Sequence, residues 1–174
     1  MKKLFVLLIT VFTLSSVGYA QEKETTMLLF VRHAEKMADG TKNPSLTLAG
    51  EARAKRIANW IQKEYGQLSA IYSTNYKRTL ETAQFSSNLF NVPITKYGLK
   101  DPQGLVSGII ESYKGNTVLI VGHSNTTPTL VNFAIDKEKY SALDESDYSK
   151  LFIVRISENG EAEVSIHSTD VEDN

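Results

Sequence analysis

Cysteine is absent from the 174 residues, and that absence excludes more than disulfides. Zinc or iron–sulfur sites built on thiolates are ruled out, and so is a lipid attached through an N-terminal cysteine. An excess of either charge is also missing. Once Lys2 and Lys3 are set aside, the 19 basic residues become 17 against 20 acidic ones, a formal charge near −3. That balance argues against a nucleic-acid partner and supplies no polybasic patch for a membrane surface. Internal repeats, low-complexity tracts and interdomain linkers are lacking too, so the chain reads as one domain.

The first twenty residues, "MKKLFVLLITVFTLSSVGYA", carry the pattern of an export signal. Lys2 and Lys3 give a positive start, Leu4 to Leu14 an apolar segment, and Gly18 and Ala20 the small residues before a cut. The apolar part is shorter than the roughly 20 residues of a membrane span, and Thr10, Thr13, Ser15 and Ser16 interrupt it. Cleavage after Ala20 removes 20 of 174 residues and leaves 154, enough for a substantial core. The expectation is a protein exported to the periplasm or the extracellular space, with no stable membrane association after cleavage. Residues 21–26, "QEKETT", form a polar lead-in, and 27–174 the domain.

Along that domain, short apolar runs alternate with helical periodicity. "MLLFV" is a strand covered on both faces. "MADGTKNPSL" is a loop, Thr47 is an N-cap, and Ala54, Ile57, Ala58, Ile61 and Tyr65 mark one helix face that ends at Gly66. "LSAIYS" is a second strand, followed by a helix whose face is Leu80, Ala83, Ser87 and Phe90. "VPITKY" is a third strand; Val106, Ile109, Ile110 and Tyr113 mark a third helix before Gly115. "NTVLIVGH" repeats the opening pattern, "TPTLVNFAI" is a helix with Pro128 near its start, and "KLFIVRI" and "EAEVSIH" flank the hairpin turn Glu158-Asn159-Gly160. In the last strand Ala162, Val164 and Ile166 alternate with Glu163, Ser165 and His167, which predicts one wet face. Six strands alternating with helices and closing on a hairpin mean α/β, with helices on both sides of a mostly parallel sheet.

Ligands of open α/β sheets bind beyond the carboxyl ends of the strands. The first strand ends at Arg32 and His33, and "NTVLIVG" ends at His123, so two of the three histidines stand at strand ends. Arg78, in the first turn of the helix after "LSAIYS", belongs to the same edge. If the strands are neighbours, two arginines and two histidines converge on a site for an anion. Guanidinium forks match phosphate oxygens in pairs, and neutral imidazole is a competent nucleophile. Phosphoryl transfer needs mainly positioning and charge neutralisation, which these side chains provide without a metal or cofactor. A metal site of His33, Glu35 and His123 would lack the His-Glu-x-x-His spacing on a helix. His167, on the polar face of the last strand, is assigned a structural role.

Three motifs in order, "FVRHAEK", "YSTNYKRTLETA" and "VLIVGHSN", resemble those of the histidine phosphatase superfamily, also called phosphoglycerate mutase-like. Ala34 stands where the first motif usually has glycine. The resemblance spans about residues 27–168 and implies a three-layer α/β/α fold on a mixed, mostly parallel sheet. It implies that His33 accepts the phosphoryl group while Arg32, Arg78 and His123 surround it. The partner would be a small phosphorylated substrate, with phosphomonoester hydrolysis as the reaction; a phosphohistidine protein phosphatase, a mutase and a noncatalytic phospho-ligand module are the alternatives. Many members carry a glutamate, between the second and third motifs, that protonates the leaving group. Here Asp101 is the only carboxylate before the third helix, either as that proton donor or as a cap on "PQGLVSG". Lys36 and Asn125 are placed to touch substrate beyond the phosphate, or else to serve as a solvated loop lysine and a helix N-cap. "DESDYSKLF" resembles a stretch of a compact Arg-His-Ala-Glu-Lys subgroup and is read as structural. The sequence does not indicate an oligomeric state.

Overall fold

A computed structural model describes residues 25–170. The predicted export signal and cut site lie outside the described residues, as do 21–24 of the lead-in. Strand β1 spans Thr26–Arg32, so it begins inside the segment assigned to the lead-in. Thr26 is buried, and its Oγ1 accepts a hydrogen bond from Gly115 N at 2.9 Å.

After β1 come α1 (Leu48–Tyr65), β2 (Ala70–Thr74), α2 (Lys77–Phe90), β3 (Ile94–Tyr97) and α3 (Pro102–Ser112). Then follow β4 (Thr117–Gly122), α4 (Thr126–Ile135), β5 (Lys150–Ile156) and β6 (Ala162–Ser168). The sheet order is β3-β2-β4-β1-β5-β6. Pairs β3–β2, β2–β4 and β4–β1 are parallel, whereas β1–β5 and β5–β6 are antiparallel. The predicted α/β architecture, a mostly parallel mixed sheet of six strands with helices on both faces, is the observed one.

The alternation along β1 explains its unbroken apolar run. Leu28 and Phe30 enter a core with Val106 and Ile109 of α3 and Leu130 and Val131 of α4. Leu29 and Val31 enter the opposite core, with Ile57 and Ile61 of α1 and Ala83 of α2. Neither face meets water, so the five residues between Thr26 and Arg32 are all apolar. Thr47 caps α1 by accepting from Gly50 N at 3.1 Å, and Gly66 ends it at φ 73°, a conformation that glycine adopts without strain.

Helix α2 departs from its predicted face. Its buried residues are Thr79, Thr82, Ala83 and Ser86, not the set of Leu80, Ala83, Ser87 and Phe90. The inward positions are small hydroxyl residues, which apolar periodicity cannot detect. Thr79 and Thr82 are admitted because each donates to a carbonyl, of Thr74 (2.8 Å) and Arg78 (2.7 Å) respectively. Strand β6 keeps its predicted alternation at Glu163 and Ser165, which are exposed, and at Ala162 and Val164, which pack on the core, and departs from it only at its end. There His167 stacks on Trp60, with ring centroids 4.1 Å apart and planes at 15°, whereas Ile166 is 46% exposed.

Candidate active site

The order of the strands creates the site. The chain winds outward from β1 to β2 and β3, then returns to insert β4 between β2 and β1, a switch point of the kind at which α/β sheets bind ligands. In the β1–β4 register Arg32 pairs with Gly122, so His33 and His123 are each the first residue past a strand and stand at one level. His33 N donates to Gly122 O at 2.9 Å, and the two imidazole centroids are 5.5 Å apart. Gly122 leaves no room for a side chain. A Cβ there would meet Thr126 Oγ1 at 2.8 Å and Thr127 Oγ1 at 2.9 Å, and Thr126 Oγ1 accepts the backbone N–H of His123.

Hydrogen bonds define the protonation of both histidines. His33 is 3% exposed, and its Nδ1 lies 2.8 Å from Ala34 O. A carbonyl oxygen only accepts, so Nδ1 carries the proton and Nε2 keeps its lone pair. For His123 the assignment follows a chain. Thr79 Oγ1 gives its proton to Thr74 O, Thr74 Oγ1 gives its own to Thr79 Oγ1 at 3.0 Å, and His123 Nε2 therefore donates to Thr74 Oγ1 at 2.9 Å. His123 Nδ1 is left as an acceptor, and Arg78 Nη2 donates to it at 3.3 Å.

Burial is the main reason that both rings stay neutral. It pushes His33 down to about 3, helped by Arg32, Arg78 and His123 and opposed by the Ala34 carbonyl. It pushes His123 down to about 4, helped by Arg78 and Arg32 and opposed by Glu145. With folded values below the ordinary 6.5, the unfolded chain binds protons that the folded protein refuses. Histidine-linked stability is thus full above about pH 6.5 and declines as pH falls toward 4 and then 3. The thermal midpoint is expected to drop between pH 6.5 and 5, before carboxylates begin to titrate, and His33→Asn to flatten that drop. Fluorimetric melts across this range check it; an equal slope in the variant counts against a neutral buried His33.

Arg32 is 1% exposed although charged. Its Nη1 donates to the carbonyls of Asp144 (2.8 Å) and Asp147 (3.0 Å), and its Nη2 to Glu145 Oε2 (3.1 Å). The guanidinium lies 4.2 Å from the Tyr148 ring centroid. Arg78 lies 4.6 Å from the Tyr76 ring in the same way. The Nε atoms of both arginines are buried without a hydrogen-bond partner, two of three such side-chain atoms among the described residues. Two unpaired guanidinium donors beside two neutral imidazoles are suited to receive an anion.

The segment read as structural, "DESDYSKLF", is part of this surround. Glu145 reaches Arg32 and accepts from Ser124 Oγ at 2.5 Å, and the Tyr148 ring is 6.0 Å from that of His33. The topology holds the signal that could have found it: β5 runs antiparallel to β1, so the chain entering β5 must pass the carboxyl end of β1. Tyr76, Thr74 and Ser124 also belong to the surround without having been singled out, Ser124 one residue from His123, Tyr76 two and Thr74 four residues before Arg78.

The remaining predicted residues divide. Lys36 bridges to Leu46 and lines a cavity shared with Arg78. Asn125 is the N-cap residue of α4 but makes no capping hydrogen bond with its side chain. Asp101 caps α3, accepting from Gly104 N at 2.9 Å, and no hydrogen bond links it to the histidine pair. Glu35 is committed elsewhere, held by Arg53 at 2.7–3.0 Å, so it is not available as a metal ligand beside His33. Arg53 in turn ties α1 to Thr169 and Asp170.

A proton donor would show itself through the leaving group. If Asp101 acts only as a cap, Asp101→Asn changes turnover of nitrophenyl phosphate and of a sugar phosphate equally. If it protonates the leaving oxygen, the alkoxide substrate loses about 10²- to 10⁴-fold and nitrophenolate, which departs unprotonated, far less. Steady-state rates on the two esters decide between these outcomes.

The family model described as the histidine phosphatase superfamily (branch 1) matches residues 28–98, which carry Arg32, His33 and Arg78; His123 lies beyond the match. The superfamily resembled by the three motifs is thus the one whose model matches the chain. Among solved structures, Bacillus stearothermophilus YhfR is 22% identical, with a TM-score of 0.64 over 84% of this chain and 98% of its own. The protein histidine phosphatase SixA, solved with tungstate, is 17% identical, with a TM-score of 0.61 over 83% of this chain and 97% of its own. Phosphoserine phosphatase from Entamoeba histolytica, solved with 3-phosphoglyceric acid, is 16% identical, with a TM-score of 0.62 over 82% and 97%. These likenesses establish a phosphoglycerate mutase-like fold. No curated protein matches the chain.

Proposed function

We propose that the protein is an exported phosphatase that hydrolyses phosphomonoesters through a phosphohistidine on His33. The observation that carries the reading is the pairing of a neutral His33, its Nε2 lone pair free, with two buried guanidinium Nε donors that lack partners. Nε2 attacks phosphorus in line, the N–P bond forms as the P–O bond to the alcohol breaks, and the alkoxide takes a proton. Water then attacks phosphorus, the N–P bond breaks, and orthophosphate leaves with His33 restored. Arg32 and Arg78 hold the equatorial oxygens and oppose their charge; His123 joins them once the incoming dianion, which favours imidazolium, brings a proton onto Nδ1, the nitrogen that Arg78 then releases. Glu145 must yield Arg32 to the incoming phosphoryl group, since two anions cannot share one fork cheaply.

No step needs a metal, because the guanidinium groups supply the neutralising charge. Export rests on the charged start, short apolar segment and small residues of positions 1–20, and no helix among the described residues is long and apolar enough to cross a membrane. The likeness to SixA favours a protein phosphohistidine as the second substrate class. Hydrolysis of p-nitrophenyl phosphate with and without EDTA is the test, alongside a phosphohistidine peptide. Turnover insensitive to EDTA is expected; no turnover on either substrate would leave a phospho-ligand binding module.

A further inference from the structure

The sheet ends in two edge strands, β3 and β6, and they are built differently. β3 has four residues, follows Pro93 and carries Lys96, all features that discourage a further strand from pairing with it. β6 has seven residues, and its ladder with β5 runs from Ala162 to Ser168 without a bulge. Its sequence, "AEVSIHS", holds no lysine, proline or glycine. A long edge without such protection is a surface for another strand.

The hairpin register fixes which backbone groups this edge offers. Ser157 N donates to Glu161 O at 3.0 Å and Thr169 N to Ser149 O at 2.7 Å, so both are hydrogen-bonded pairs. Such pairs recur at every second residue of an antiparallel ladder. Glu163, Ser165 and His167 therefore turn their N–H and C=O groups inward to β5, and Ala162, Val164, Ile166 and Ser168 turn theirs outward. The side chains alternate too. Ile166 follows Ala162 and Val164 on one face and is 46% exposed, while exposed Glu163 and Ser165 share the other face with His167.

We propose that β6 pairs antiparallel with β6 of a second copy of the chain, about a two-fold axis at Ser165, so that two six-stranded sheets become one. Outward groups must meet outward groups, so the two strands can shift only in steps of two residues. Among those registers, the one centred on Ser165 uses all seven residues of both strands. It sets Val164 against Ile166 of the second copy, and the symmetric contact joins them into one apolar patch that covers Ile166. It also sets Glu163 against His167 of the second copy, a carboxylate facing a ring able to donate to it. Ala162 and Ser168 complete the set. Four outward pairs at two bonds each give eight backbone hydrogen bonds. The histidine pair stands past β1 and β4, so pairing at β6 leaves it uncovered, and the inference is independent of the phosphatase reading.

One pair of strands makes a small interface, so the expected Kd is about 10⁻⁵ to 10⁻⁴ M. Analytical ultracentrifugation of the purified protein from about 1 μM to 1 mM should show monomer giving way to dimer across that range. Ile166→Lys should weaken the dimer at least about tenfold while leaving the thermal midpoint near wild type, because the side chain is half-exposed in the monomer.

The lack of native cysteine allows the register itself to be tested. Ser165→Cys supplies the only thiol, and across the two-fold axis it meets its copy in a non-hydrogen-bonded pair, with Cα atoms about 4.5 Å apart and within disulfide reach. In Ile166→Cys the two thiols are offset by two residues, with Cα atoms about 8 Å apart and beyond that reach. With oxidised glutathione near the Kd, Ser165→Cys should form covalent dimer at least about tenfold faster than Ile166→Cys. A wild-type protein that stays monomeric at about 1 mM overturns the proposal. So does a dimer that withstands Ile166→Lys, and so do equal crosslinking rates in the two cysteine variants. If Ile166→Lys fails to fold, the comparison of the cysteine variants decides alone.

Discussion

His33→Ala is expected to abolish phosphatase activity, by roughly 10⁴-fold or more, while leaving the fold in place. The nucleophile is the one group in the proposed reaction with no substitute nearby. His123, its ring centroid 5.5 Å away, has Nε2 engaged by Thr74 and Nδ1 facing Arg78, so neither nitrogen offers a lone pair without giving up a partner. The fold should survive because His33 is joined to β4 through its backbone N–H, which alanine retains. Its side chain makes one hydrogen bond, to the next residue's carbonyl. Circular dichroism and phosphate binding should therefore stay near wild type while nitrophenyl phosphate turnover is lost. Acid quenching of wild type with labelled substrate should trap an acid-labile phosphoenzyme, absent from the variant. Full activity in His33→Ala would sink the covalent mechanism.

The residues legible in the sequence were those with a period or a position to betray them. Arg32, His33 and His123 were visible because each interrupts an apolar run that can only be a buried strand. Arg78 was visible through the strand that precedes it. Thr79, Thr82 and Ser86 were not, since a helix face of hydroxyls looks polar until the carbonyl partners of Thr79 and Thr82 are known. Glu145 and Tyr148 were hidden for a topological reason: only the antiparallel pairing of β5 with β1 carries their loop to Arg32, more than a hundred residues earlier in the chain. His167 was misplaced because alternation predicts which way a side chain points, whereas Trp60, from the helix above, decides whether that side is covered.

Arg78→Ala should weaken inhibition by inorganic phosphate and lower kcat/KM, each about ten- to a hundredfold. A hydrogen bond to a charged group contributes about 1.5–3 kcal/mol, and the variant loses one such guanidinium from the anion site. Stability should change little, because Arg78 is only half-buried, its guanidinium makes one hydrogen bond among the described residues, to His123, and lies over the Tyr76 ring, and its Nε gains nothing in the free protein. A second effect separates an anion-binding role from a merely structural one. After burial, Arg78 is the largest influence holding His123 below its ordinary value. Its removal should raise that value, so an acid limb of the pH profile governed by His123 would move upward. Arg78→Lys restores the charge but not the planar fork; it should recover the position of that limb and only part of the phosphate affinity. If phosphate binds the alanine variant as well as it binds wild type, Arg78 lies outside the anion site, and the cationic surround of His33 reduces to Arg32 alone.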